Sequence, residues 1–231
     1  MRESRTPALV NGIRCYDVRT EQLPAGPPKA ALVWRGLIVK RPIAVVDSIC
    51  LHQTAVNFGV SPAQIHAAGG DLDLAQFMRA KLVHAHITAF DEGAFVVAFD
   101  LLDYVWHGNG ANLRSVGLEE EGFFNGEPGG KTNAEPNKKR SEPSSLLIET
   151  SRAACTFICE ELSRRGGNPR HYLAHRQYAA SRRSDPGWML WKEVGIEHCE
   201  KRLGLSPLPD LTDRDGLPIP SSWDSRFSHP Y

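Results

Sequence analysis

Ala44-Val45-Val46-Asp47-Ser48-Ile49-Cys50-Leu51-His52 is a β-rich apolar run that ends on an imidazole. A run of this length with so little polar alternation reads as a central strand buried on both faces, ending at His52. Working outward, His84 to Phe90 and Ala94 to Phe99 flank Asp91-Glu92-Gly93, whose spacing and turn chemistry predict a hairpin. Ser115-Val116-Gly117-Leu118-Glu119 predicts a further short strand. Ser145 opens a helix whose Leu147, Ala154, Ile158 and Leu162 recur at helical spacing, with Gly166-Gly167 as the stop. A short strand around Tyr172-Leu173-Ala174 leads to His175. Asp185-Pro186 then starts a last helix through Trp188, Trp191, Val194 and Cys199 toward Gly204. Strands and helices alternate, so the expected architecture is α/β, a mixed central sheet flanked by helices.

The remainder fills in around that frame. Residues 1–43 read as an arm or hairpin of unclear role, 44–204 as the functional domain, and 205–231 as a Pro-rich tail. Ser61-Pro62 opens a helical stretch that Gly69-Gly70 interrupts, and a second piece from Asp71 ends near Leu82. Residues 122–144, almost without apolar side chains after Phe124, read as a loop or lid.

The 231 residues carry 27 Lys+Arg and 27 Asp+Glu, and this balance argues against a global electrostatic grip on nucleic acid or an anionic membrane, while leaving room for a local basic groove. No apolar h-region follows Arg2 and Arg5, and no run is long enough to span a bilayer, so synthesis and folding in the cytosol are expected. Cys15, Cys50, Cys155, Cys159 and Cys199 are odd in number and scattered, which points to reduced, mostly buried thiols. A monomer is the default.

Three polar positions fall where strands end or loops begin: His52, His175 and Asp185. Two imidazoles and a carboxylate suit catalytic zinc, with the fourth tetrahedral position open. Each residue also has a plainer reading, since the chain has nine His and Asp185 before Pro186 can be a helix N-cap. His84 and His86 are a rival pair, because alternate residues of a strand share a face. Cys155 and Cys159, and Trp188 and Trp191, read as core first.

Three stretches resemble the zinc-dependent N-acetylmuramoyl-L-alanine amidase family, which includes phage lysozyme-type amidases, peptidoglycan-recognition proteins and cytoplasmic anhydromuropeptide amidases. Ile49-Cys50-Leu51-His52-Gln53-Thr54 is similar to the strand with the first zinc histidine. Ser115 to Gly122 is similar to the strand carrying a catalytic glutamate, here Glu119. His175 to Gly187, ending Arg183-Ser184-Asp185-Pro186-Gly187, resembles the branch with aspartate as third ligand. The resemblance covers about residues 44 to 204. It implies zinc on His52, His175 and Asp185, Glu119 as general acid and base, Arg183 at the oxyanion, and Gln53 and His107 in contact with a peptidoglycan or muropeptide substrate. The implied reaction is hydrolysis of the amide between N-acetylmuramic acid and L-alanine, in wall degradation or muropeptide recycling. There are departures. Asp91-Glu92-Gly93 lacks the basic pair of many relatives, Arg183 is often lysine, and Ala85 stands where some phage relatives carry a catalytic tyrosine. Strand alternation puts Glu119 and Glu121 on one face and Glu120 on the other.

Overall fold

A computed structural model describes residues 7–20, 29–55, 79–130, 140–208 and 215–231. Most of the helical stretch expected between Ser61 and Leu82 lies outside them.

An eight-stranded sheet runs in the order β1-β2-β7-β6-β8-β5-β9-β10. Its strands are β1 (Ala8–Val10), β2 (Ile13–Asp17), β5 (Ser48–Gln53), β6 (Ile87–Phe90), β7 (Ala94–Val97), β8 (Ser115–Glu120), β9 (His171–Ala174) and β10 (Ser206–Pro207). β3 (Val33–Trp34) and β4 (Leu37–Ile38) form a separate hairpin. The pairs β2/β7, β6/β8, β5/β8, β5/β9 and β9/β10 are parallel, while β1/β2 and β6/β7 are antiparallel. The sheet is therefore mixed, as expected. The predicted hairpin closes with Phe90 opposite Ala94.

Period-two alternation sorts the central strands into two faces. Ile49 and Leu51 of β5, Val116 and Leu118 of β8, Ile87 and Ala89 of β6, and Tyr172 and Ala174 of β9 face the main core. Against them pack Leu147, Ala154, Cys155, Ile158 and Leu162 of α1 (Ser145–Arg164), together with Trp191, Val194 and Cys199. The opposite face carries Cys50 and Leu173, covered by Ala111 and Tyr178. His52, Gly117 and Glu119 share it by alternation.

Several boundaries differ from the sequence reading. Residues 43–45 form a 3-10 turn, so β5 starts at Ser48. Ser144, not Ser145, caps α1, its hydroxyl accepting from Leu147 N at 3.0 Å. The last helix begins at Trp188, after Gly187 in the positive-φ region, as α2 (Trp188–Leu190), and continues as a π-helix over Trp191–Glu200. Asp185 therefore lies outside the helix and is not its N-cap. Residues 8–17, expected in an arm or hairpin, pair as an antiparallel hairpin whose second strand joins β7 in the main sheet. The Pro-rich segment buries Ile219 and Trp223 in the main core. Phe124, in the expected lid, is buried in the same core and bridges to Ser141. All five cysteines are free thiols, four of them buried.

Candidate metal centre

The parallel register of β5 and β8 sets His52 beside Glu119, and β9, on the other side of β5, delivers His175 directly after its last residue. The turn following His175 returns Asp185 to the same point. Asp185 N donates to Arg182 O at 2.9 Å, and Arg176 N donates to Asp185 O at 3.2 Å. The Asp185 carboxylate is buried: Oδ1 accepts from Gln53 N at 2.9 Å, and Oδ2 lies 3.1 Å from His175 Nδ1. His175 Nδ1 is in turn 2.9 Å from His52 Nδ1. Three ligand atoms from residues far apart in sequence thus converge.

The tautomers follow from a chain of partners. Ser115 O can only accept, so His107 Nε2, 3.2 Å away, carries the proton. With its Nε2 protonated, neutral His107 offers Nδ1 as an acceptor. That atom lies 3.1 Å from His52 Nε2, which therefore donates and leaves His52 Nδ1 as a lone pair facing His175 and Asp185. Burial, with the Arg41 guanidinium adding to it, holds the His107 pKa down at about 3, against the opposing hydrogen bond to Ser115. His52 is also held well below the usual range, first by burial and then by the neighbouring imidazoles.

Glu119 Oε1 lies 3.9 Å from His52 Nδ1. Glu119 Oε2 is buried without a hydrogen-bond partner. Burial raises the Glu119 carboxyl well above the ordinary carboxylate range, Asp185 adds to this, and Arg182 opposes it. Glu120 points to the opposite face, fully buried, and its Oε2 accepts from His52 N at 3.1 Å. Glu121 is taken up with the hairpin turn, accepting from Asp91 N at 3.2 Å.

The residues suit zinc. The donor set is two imidazole nitrogens and one carboxylate oxygen, and tetrahedral bonds of about 2.0–2.2 Å place such ligands about 3.3–3.6 Å apart. The 2.9 and 3.1 Å separations are shorter than that by about half an ångström, a gap that small side-chain rotations would open. The orphaned Glu119 oxygen beside them marks a place where a polar species belongs. A second group, Cys50, His52 and His107, is wholly buried and draws on the same histidine.

A cleft of about 380 Å³ opens beside this centre, lined by Gln53, Phe123, Arg140, Arg182, Arg183 and Tyr231 among others. Of the two expected substrate contacts, Gln53 borders the cleft and His107 does not. His107 is only 4% exposed and sits behind His52, with the ring centroids 5.2 Å apart, so it backs a candidate ligand and does not face the cleft. Gln53 borders the cleft, but its carboxamide is committed at both ends, donating to Ser184 O at 2.8 Å and accepting from Phe124 N. Arg183 donates to the Tyr231 carbonyl, and its guanidinium carbon stands 4.5 Å over the Tyr231 ring. The rival pair is split: His84 is exposed, while buried His86 accepts from Gly117 N at 3.0 Å and faces Asp103 O at 2.9 Å. Tyr231 and Arg140 were not singled out in the sequence. Both stand in turn-rich or Pro-rich segments whose composition carries no periodic signal.

The fold is shared with a bumblebee PGRP-SA structure, at a TM-score of 0.52 and 14% identity over 80% of this chain and 95% of that one. The N-acetylmuramoyl-L-alanine amidase LysC from Clostridium intestinale URNW is similar at a TM-score of 0.48 and 14% identity, over 83% and 98% of the two chains. Drosophila PGRP-LB is similar at 0.49 and 15%, over 85% and 98%. No family model matches the sequence, and no curated protein matches it. Among the described residues, no helix is long and apolar enough to cross a membrane.

Proposed function

We propose that this chain is a zinc-dependent N-acetylmuramoyl-L-alanine amidase, hydrolysing the amide that joins the stem peptide of peptidoglycan or a muropeptide to its sugar. The observation that carries this reading is the convergence of His52 Nδ1, His175 Nδ1 and Asp185 Oδ2 beside the unpartnered carboxylate oxygen of Glu119. His52, His175 and Asp185 would hold zinc, which would supply Lewis-acid chemistry to the scissile carbonyl and the attacking water. Glu119, on the neighbouring strand, accepts the proton of that water and returns it to the departing L-alanine nitrogen. Arg183, two residues before Asp185, stabilises the oxyanion of the tetrahedral intermediate. His107 keeps His52 in the ligating tautomer, and Gln53 ties the Ser184 and Phe124 backbones together at the cleft.

Two readings compete: a module that holds peptidoglycan without cutting it, and a metal amidase or peptidase with a non-wall substrate. The complete ligand set with a carboxylate at its side favours hydrolysis. The test is release of stem peptides from purified peptidoglycan by metal-stripped, zinc-restored and Glu119→Ala protein. Activity lost with the metal, regained with zinc and abolished by the substitution is expected. Zinc uptake and peptidoglycan retention without release would favour the binding module, and failure to take up zinc would sink the metal centre.

A further inference from the structure

Four of the five cysteines belong to the main core or pack against it, while Cys50 lies on the other face of the sheet, the face that carries His52. Alternation along β5 puts Cys50 and His52 on the same side. In the parallel register Cys50 stands opposite Gly117 of β8, and the missing side chain there makes room for the His107 ring: a Cβ at that position would come 2.6 Å from His107 Cγ. Ligand atoms of Cys50, His52 and His107 consequently fall within 4.8 Å of one another. Cys50 and His52 are fully buried and His107 is 4% exposed. The facing nitrogens are His52 Nε2 and His107 Nδ1, 3.1 Å apart. Ser115 O keeps the His107 proton on Nε2, so Nδ1 already offers a lone pair toward Cys50 and His52.

We infer that Cys50, His52 and His107 form a second metal site, for monovalent copper, whose occupation withdraws His52 from the zinc set. The inference takes the zinc centre proposed above as its premise. One thiolate with two imidazoles is a soft donor set of the kind copper selects, and three donors satisfy monovalent copper, whereas closed zinc sites take four. Among the described residues, no fourth ligand joins the group. Charge points the same way. A monovalent ion and a thiolate cancel, so a site buried on every side gains no net charge, while a divalent ion would leave one uncompensated. The exchange also balances: the copper ion enters and the Cys50 thiol proton leaves to solvent. A neutral imidazole has one lone pair. When His52 Nε2 gives its lone pair to copper, the ring proton shifts to Nδ1, the atom that faces His175 and Asp185, so the two ions compete for one ring.

The test titrates copper(I) under anaerobic conditions into zinc-stripped wild type, Cys50→Ser and Cys50→Ala, against a chromophoric copper(I) chelator, with thermal unfolding recorded for each. The site lies under the 3-10 turn Asn109–Leu113, so readings are taken once absorbance is constant. One tight equivalent is expected in the wild type, with sulfur among its ligands by X-ray absorption. Both Cys50 variants should bind it at least about a hundredfold more weakly, since losing even an outer partner of a ligand costs up to that much. Their zinc uptake should persist, because Cys50 is not among the three zinc ligands. Zinc-loaded wild type should release one zinc per copper bound, measured with a zinc-sensitive dye. Wild-type copper affinity in a folded Cys50 variant, no tight copper in the wild type, or copper uptake without zinc release would overturn the inference. Exchange of zinc for copper in protein that releases no stem peptide would leave both metal sites standing and defeat the hydrolase reading alone.

Discussion

A carbonyl oxygen that can only accept sets the protonation of two histidines in series, from Ser115 O through His107 to His52, and so frees the one nitrogen that faces His175 and Asp185. Replacing His107 with Phe keeps a ring behind His52 but removes its acceptor, so the ligating tautomer is no longer enforced. Partners of this kind are worth about 10- to 100-fold in metal affinity. Zinc affinity of His107→Phe, measured by competition with a chelator, should fall within that range, and an unchanged affinity would mean that His52 is oriented by something else. Glu119→Gln has a different expected signature: zinc is retained, since the carboxylate is not among the three converging ligands, while hydrolysis collapses.

At the scale of the strand, β8 stands behind the His52–His107 pair. Gly117 lies on its metal-centre face, and a Cβ there would sit 2.6 Å from His107 Cγ and 2.8 Å from His107 Nδ1. The ring is buried and hydrogen-bonded, so it has no room to retreat. Gly117→Ala should therefore cost about 1–3 kcal/mol in thermal unfolding, as overpacking does, and weaken zinc uptake together with stability. The start of β5 invites a second test. Asp47 accepts from Arg114 Nε at 3.0 Å, Arg114 Nη2 at 2.9 Å and Arg170 Nη2 at 3.1 Å. Desolvation pushes its carboxyl up, but Ser48 and the two guanidiniums outweigh this and hold it below the ordinary 3.8. A depressed folded pKa gives stability that is complete above the unfolded value and lost as pH falls through the folded one. Asp47→Asn should thus be less stable than wild type at neutral pH, by about 1–3 kcal/mol. The gap should narrow as pH falls below about 3.8, which denaturant titrations across that range would follow.

Taken as a whole, the molecule shows which parts of a sequence speak for themselves. β5, β6, β7, β8, β9 and α1 could be anticipated because a two-sided sheet and a packed helix impose periods on their apolar residues. His52 and His175 could be placed because strands deliver them. Asp185 was ambiguous, since Asp before Pro suits both a cap and a ligand, and the later helix start at Trp188 removes the cap reading. The segment after residue 204 was least legible, because Pro-rich composition says nothing about which surface its aromatic residues cover. Trp223 is 4% exposed, with its ring centroid 6.3 Å from that of Trp191, the Arg176 guanidinium 4.9 Å from its centroid, and its Nε1 donating to Gly126 O. It therefore joins the main core to the loop carrying Phe124 and, through Arg176, to the residue after His175. Trp223→Ala should cost about 3–5 kcal/mol, the range for deleting a buried aromatic ring. For a chain of this size that corresponds to a fall in Tm of roughly 6–20 °C. The three proposed ligands come from β5, the end of β9 and the turn that follows, none of which contains Trp223, so zinc uptake below the new Tm should persist. A variant with an unchanged Tm would show that the segment only lies on the surface, and one that loses zinc while still folded would show that it shapes the metal centre directly.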